Sequence, residues 1–139
     1  MKLIKSIIIV FSLTCISSSL WAQQSNKEAE GRRFILDEKI GWEELEPGIK
    51  RKIMSYDATM MMVKIDFKKG GVGKEHKHVH TQMSYVESGV FEVTVDGKKQ
   101  ILKKGDAFYV PSNVMHGAVC LKSGVLIDMF TPMREDFVK

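Results

Sequence analysis

Four side chains able to donate to a metal ion, His76, His78, Gln82 and His116, stand at set offsets from residues that shape turns. Gly70 comes six residues before His76; His78 follows by two, Gln82 by four more and Gly89 by seven more. Fifteen residues then intervene before Gly105, and Pro111 and His116 follow. Three imidazoles with one oxygen donor suit a single borderline divalent cation such as Zn, Ni, Fe(II) or Mn. Neighbouring histidines are often a surface coincidence, but all four in this chain (76, 78, 80 and 116) fall inside these two stretches.

Geometry separates His80 from the other three. A straight strand from His76 to Gln82 would cover roughly 20 Å at ~3.3 Å per residue, whereas one metal ion binds its ligands at ~2 Å. The chain must therefore bend around Val79 to Thr81. His80 belongs in that bend, either as a cavity group behind the ligands or as a solvated turn histidine.

The elements that must position these groups read as short strands. Thr59 to Phe67 alternates, with Met61, Val63, Ile65 and Phe67 on one face and Met60, Met62, Lys64 and Asp66 on the other, a half-buried strand. The methionines read as packing rather than a soft-metal site. Glu46-Pro47-Gly48 marks a turn, and Lys68 to Gly71 closes the alternating strand. Phe91 to Val95 alternates again before Asp96-Gly97, a strong hairpin signal. Gly105-Asp106 opens a turn before Ala107 to Val110, and Val114 to Leu121 and Val125 to Phe130 supply the last strands around Lys122-Ser123-Gly124. This spacing, without a convincing helical stretch, predicts an all-β single domain, an antiparallel jelly-roll barrel able to enclose a ligand cavity.

Residues 1–22 read as an export signal: Lys2 and Lys5, an apolar run from Leu3 to Leu13, and Leu20-Trp21-Ala22 as an imperfect cleavage site. The run is short for a membrane span, so the expectation is an exported, periplasmic protein with no stable span after cleavage. Cleavage after Ala22 leaves 117 residues, 23–139, enough for one self-sufficient core. Residues 23–41 form a polar lead-in that is flexible or peripheral, and 42–139 form the domain. Cys15 departs with the signal, and Thr14 before it is a poor neighbour for lipoprotein processing. Cys120 then remains alone, so no internal disulfide forms. The net charge of +4 includes Lys2 and Lys5, leaving +2 spread along the chain, which gives no argument for nucleic acid.

The two stretches resemble both cupin motifs. Gln82 takes the place of the usual glutamate, Asn113 stands where a glycine is typical and Cys120 where an asparagine is typical; neither of the last two is a ligand position. Asp128-Met129-Phe130-Thr131-Pro132-Met133-Arg134-Glu135-Asp136-Phe137, with Trp42-Glu43-Glu44-Leu45 and His78-Val79-His80-Thr81-Gln82, is similar to the KdgF-type cupins of pectin and alginate degradation, which linearise 4,5-unsaturated monouronates. The resemblance runs from about Trp42 to Phe137. It implies metal ligands at His76, His78, Gln82 and His116, and an active-site acid, aromatic and arginine at Asp128, Phe130 and Arg134. Cupins commonly pair through barrel edges, so the resemblance leaves a homodimer open without fixing the oligomer.

The residues themselves agree with that assignment. In a strand from Val125 to Phe130, Asp128 and Phe130 share one face with Leu126, and the other face is apolar. An acid beside an aromatic there is unusual for a strand that only packs. Arg134 follows Pro132 in a segment that leaves the sheet, where a guanidinium can grip a carboxylate in two-point fashion. Asp128 as proton shuttle, Arg134 on the carboxylate, Phe130 on the sugar face and His80 beside the substrate are the expected roles. Because the fold hosts many chemistries, two other readings stay open: an Fe(II) dioxygenase, and a non-catalytic cupin that binds an acidic sugar.

Overall fold

The structure is a computed structural model that describes residues 27–139; residues 1–22, expected to be an export signal, lie outside them. Ten strands form two antiparallel sheets. They are β1 (Glu43–Glu46), β2 (Ile49–Tyr56), β3 (Met61–Phe67), β4 (Val72–His76), β5 (Thr81–Val86), β6 (Val90–Val95), β7 (Lys98–Lys103), β8 (Ala107–Val110), β9 (His116–Lys122) and β10 (Gly124–Thr131). One sheet has the order β1-β2-β3-β10-β5-β8, the other β4-β9-β6-β7. Such a double sheet, with strands alternating between layers, is the jelly roll that the strand spacing predicts. No helix of the described residues is long and apolar enough to cross a membrane.

Local chemistry fixes the register where it matters. Asp96 and Gly97 both have positive φ, 50° and 72°, as a two-residue hairpin turn between right-twisted strands requires, and Val95 pairs with Lys98 across it. At the start of β10, a Cβ on Gly124 would run into the Ser88 carbonyl. Only glycine lets the two backbones meet there, and β10 then enters the larger sheet between β3 and β5.

The alternation read in 61–67 holds: Met61, Val63 and Phe67 are buried. The strand begins at Met61 rather than Thr59, because the Asp57 carboxylate accepts from the Thr59 and Met60 amides and makes a turn. The strand expected from Val114 starts at His116, since Val114 closes a turn onto the Pro111 carbonyl.

The inner faces make two clusters. Ile49, Phe67, Val86, Phe91, Val93, Cys120 and Leu126 fill one end, with the Cys120 thiol buried. At the other end Ala29, Ile53, Tyr56, Met61, Val63 and Phe130 pack against Met133, Phe137 and Val138 of the C-terminal segment. The lead-in is tied to this second end and to β2: Ala29 is fully buried, Ser55 donates to the Arg32 carbonyl, and Lys52 Nζ reaches Asp37.

A three-histidine cluster and a buried carboxyl relay

β4 and β9 are antiparallel neighbours with His76 opposite His116, so the two rings stand side by side, centroids 4.4 Å apart. The chain then leaves one sheet and enters the other through residues 77–80, which belong to no strand. That is the bend demanded by the spacing. His78 lies in this crossing, 4.8 Å from the His116 ring, and Gln82 is buried on β5. The ligand atoms of His76, His78 and His116 all lie within 4.8 Å of one another.

The turn at 111–113 props this crossing. The Asn113 amide donates to the His78 carbonyl and Ser112 Oγ to the Val79 carbonyl. Asn113 has φ of 61°, the left-handed region that glycine enters freely and asparagine tolerates best among other residues. The departure from the expected glycine is therefore conformationally conservative.

Each histidine of the cluster is oriented by a backbone carbonyl: Nδ1 of His76 meets Lys74 O at 2.8 Å, of His78 meets His80 O at 3.0 Å, and of His116 meets Val114 O at 2.9 Å. A carbonyl only accepts, so each Nδ1 carries the proton and each Nε2 keeps its lone pair. Nε2 of His116 is buried with no hydrogen-bond partner, an orphan that a cation would satisfy. Burial lowers the His116 pKa to about 4, the nearby histidines and Arg134 adding to the fall; burial first, then Arg134, also lowers that of His78. Both are thus neutral, lone-pair donors at neutral pH. The residues present fit a divalent metal.

Gln82 joins the cluster to a carboxyl. Its Oε1 lies 3.1 Å from His78 Nε2, its Nε2 donates to Ser84 Oγ at 2.8 Å, and Ser84 Oγ donates to Asp128 Oδ1. Ser84 and Asp128 face each other across β5 and β10 and are both buried. Burial raises the Asp128 pKa to about 6, against the pull of Ser84, Gln82 and Arg134. A carboxyl so placed can hold or release a proton near neutrality. Ser84 was not among the sequence candidates; its signal was the two-residue spacing from Gln82 along one strand face.

Asp128 shares its inward face with Leu126 and Phe130, all three buried. The Phe130 ring is wedged between His78, at 5.6 Å, and Phe137, at 5.8 Å. Arg134 lies beyond a cis Thr131–Pro132 bond. Its Nε and Nη2 donate to the two carboxylate oxygens of Asp136, and its guanidinium lies over the Phe137 and Phe130 rings. His80 is buried rather than solvated, with Nε2 3.4 Å from Glu135 Oε2 and Nδ1 unpartnered.

These features match known proteins across most of the chain. The Cupin_2 cupin-domain family matches residues 63–129. The pectin degradation protein KdgF of Dickeya dadantii (strain 3937) is 50% identical over 109 residues, 77% of this chain and 99% of that protein. The chain belongs to the KdgF-type cupins. Among solved structures, KdgF from Halomonas sp. is 43% identical with a TM-score of 0.72, covering 74% of this chain and 97% of that one. An RmlC-like cupin from Shewanella frigidimarina NCIMB 400 is 46% identical with a TM-score of 0.76, covering 78% and 97%.

Proposed function

We propose that this KdgF-type cupin linearises 4,5-unsaturated monouronates, released from pectin or alginate, to 5-keto-4-deoxyuronates. The observation that carries the reading is the buried Asp128 carboxyl, linked through Ser84 and Gln82 to the three-histidine cluster. Kinship with a curated pectin degradation protein supports the substrate class.

The substrate is a cyclic enol ether bearing a C6 carboxylate. The C1 hydroxyl loses a proton, the bond from C1 to the ring oxygen breaks to leave a C1 aldehyde, and the resulting C5 enolate is protonated at C4 to give the ketone. Atoms and electrons balance as an isomerisation, with no co-reactant. His76, His78, His116 and Gln82 would hold one divalent ion, which when bound supplies Lewis-acid polarisation of substrate oxygens. Asp128 moves the proton, with a pKa close to working pH. Arg134 offers the carboxylate a guanidinium already ordered by Asp136 and Phe137, so little entropy is lost on binding. Phe130 and Phe137 wall that side of the site and exclude water.

The deciding assay incubates the purified, metal-loaded protein with an unsaturated monouronate and follows loss of the enol-ether absorbance in the ultraviolet. Activity with Zn or Ni under nitrogen supports linearisation. A strict need for iron and oxygen would mark a dioxygenase, and binding without turnover a sugar-binding cupin.

Export to the periplasm, with cleavage near Gln23, rests on the Lys2 to Ala22 pattern and is tested by mass spectrometry of periplasmic fractions; intact Met1 in the cytoplasm overturns it. Homodimer formation is supported by exposed Phe34, Met83, Tyr85 and Tyr109. Met83 and Tyr109 are neighbours on β5 and β8, which favours pairing through an outer sheet face. Light scattering of the purified chain tests it; a monomer at micromolar concentration sinks it.

A further inference from the structure

β2 carries a charge where alternation calls for an apolar residue. Ile49, Arg51 and Ile53 point inward, opposite Phe67, Ile65 and Val63 of β3, and Arg51 is only 8% exposed. Burying a guanidinium is costly unless it is well partnered. Nε and Nη2 of Arg51 both donate to Glu43 Oε2, at 3.3 and 2.8 Å, from the residue directly opposite on β1. Its Cζ lies 4.1 Å from the centroid of the Phe137 ring. The Arg134 Cζ lies 4.2 Å from the same centroid. Two guanidinium groups cannot both occupy one face of one ring, so Phe137 is held between them.

From this sandwich we infer that Arg51, with Glu43 and Phe137, is a positioning residue that aims Arg134 at the substrate carboxylate. The chain of contacts runs from the first strand to the last segment: Glu43 orients Arg51, Arg51 fixes Phe137, and Phe137 supports one face of Arg134 while Asp136 holds its edge. A purely structural role would be filled as well by an apolar side chain, since replacing a buried ion pair by packed hydrophobic groups is often neutral or stabilising. The planar guanidinium adds what an apolar chain lacks, a cation–π contact that fixes the ring's tilt and distance. The positioning role of Arg51 rests on the role proposed for Arg134.

The test uses the full metal-loaded chain with Arg51→Met, Phe137→Leu and Phe137→Tyr, and the double variant Arg51→Met/Phe137→Leu. Arg51→Met and Phe137→Leu are expected to raise KM for an unsaturated monouronate about tenfold, with kcat within about twofold and metal content unchanged, the mark of lost ground-state positioning. Phe137→Tyr, which keeps a ring between the two guanidinium groups, raises KM less than Phe137→Leu. The double variant is no worse than either single one, because both changes interrupt one route. An unchanged KM in Arg51→Met, or fully additive effects in the double variant, overturns the latch. If Arg51→Met does not fold, the Leu and Tyr variants of Phe137 decide: equal KM values overturn it. The Arg134 side-chain Nε–H resonance gives a readout independent of turnover, expected to shift and broaden in Phe137→Leu but not in Phe137→Tyr. A wild-type protein inactive on unsaturated uronates would remove the proposed reaction, while an Arg134 resonance indifferent to Phe137→Leu would remove the latch.

Discussion

Nε2 of His78 and Oε1 of Gln82 face each other at 3.1 Å, and both are lone-pair atoms. The His78 proton is committed on Nδ1 to the His80 carbonyl, and the Gln82 amide nitrogen is committed to Ser84. Two acceptors held this close need a proton or a cation between them. Protonating His78 is opposed first by burial and then by the Arg134 charge. A divalent ion held by the histidine cluster would satisfy both atoms, and Nε2 of His116 with them.

His76→Ala and His116→Ala are each expected to lose bound metal, because removing one donor leaves an open, weakly held site. His80→Ala keeps it, since His80 faces Glu135 instead. Elemental analysis of the three purified variants is the check, and equal loss in all three would place His80 among the ligands.

Gln82→Glu is expected to bind metal at least as tightly as the parent but to turn over about tenfold more slowly, less than the roughly 10²–10⁴-fold of losing a positioned acid, because the acid is disturbed rather than removed. Ser84 has one hydroxyl proton, which it now gives to Asp128 while accepting from Gln82. A glutamate cannot donate, so two carboxylates would compete for that proton. Metal titration and steady-state kinetics decide, and an unchanged kcat would dismiss the relay.

Much of this site was legible from spacing alone. The distance between His76 and Gln82 forces a bend, and the chain does cross between sheets there. Period two put Asp128 beside Leu126 and Phe130, and all three are buried together. β2 was not legible, because Arg51 stands inward and the neighbouring Lys52 is also buried, under Trp42 and against Asp37. Both burials depend on partners distant in sequence or across a hairpin, which periodicity cannot report. The seat of Phe137 is of the same kind, made by three separate segments.

Asp128 and Arg134 are expected to fail differently. Asp128→Asn should lower turnover of an unsaturated monouronate by roughly 10²–10⁴-fold with metal retained, the usual range for a positioned acid or base. Arg134→Ala should mainly raise KM, because its grip on the carboxylate is present in ground and transition states alike. Full activity in Asp128→Asn would leave His80 as the candidate acid.

The same Asp128→Asn change should stabilise the protein once metal is stripped by a chelator. Asp128 has a folded pKa of about 6, above the ~3.9 of an unfolded chain. Between these values the folded state holds a proton that the unfolded state releases, so stability is fully present below about pH 4, falls as pH rises to about 6, and is flat above. The loss is on the order of 3 kcal/mol for a carboxyl this buried. Asparagine keeps the shape and an acceptor for Ser84 but never ionises, so it escapes the loss. Thermal or urea unfolding should therefore find the variant more stable than the parent at pH 8 and nearly equal to it at pH 4, the trade expected of a functional group held in a site that disfavours its charge. Parallel stability curves for parent and variant across that range would show that the buried carboxyl is not strained by its charge, and with it the argument for a proton held near neutrality would fall.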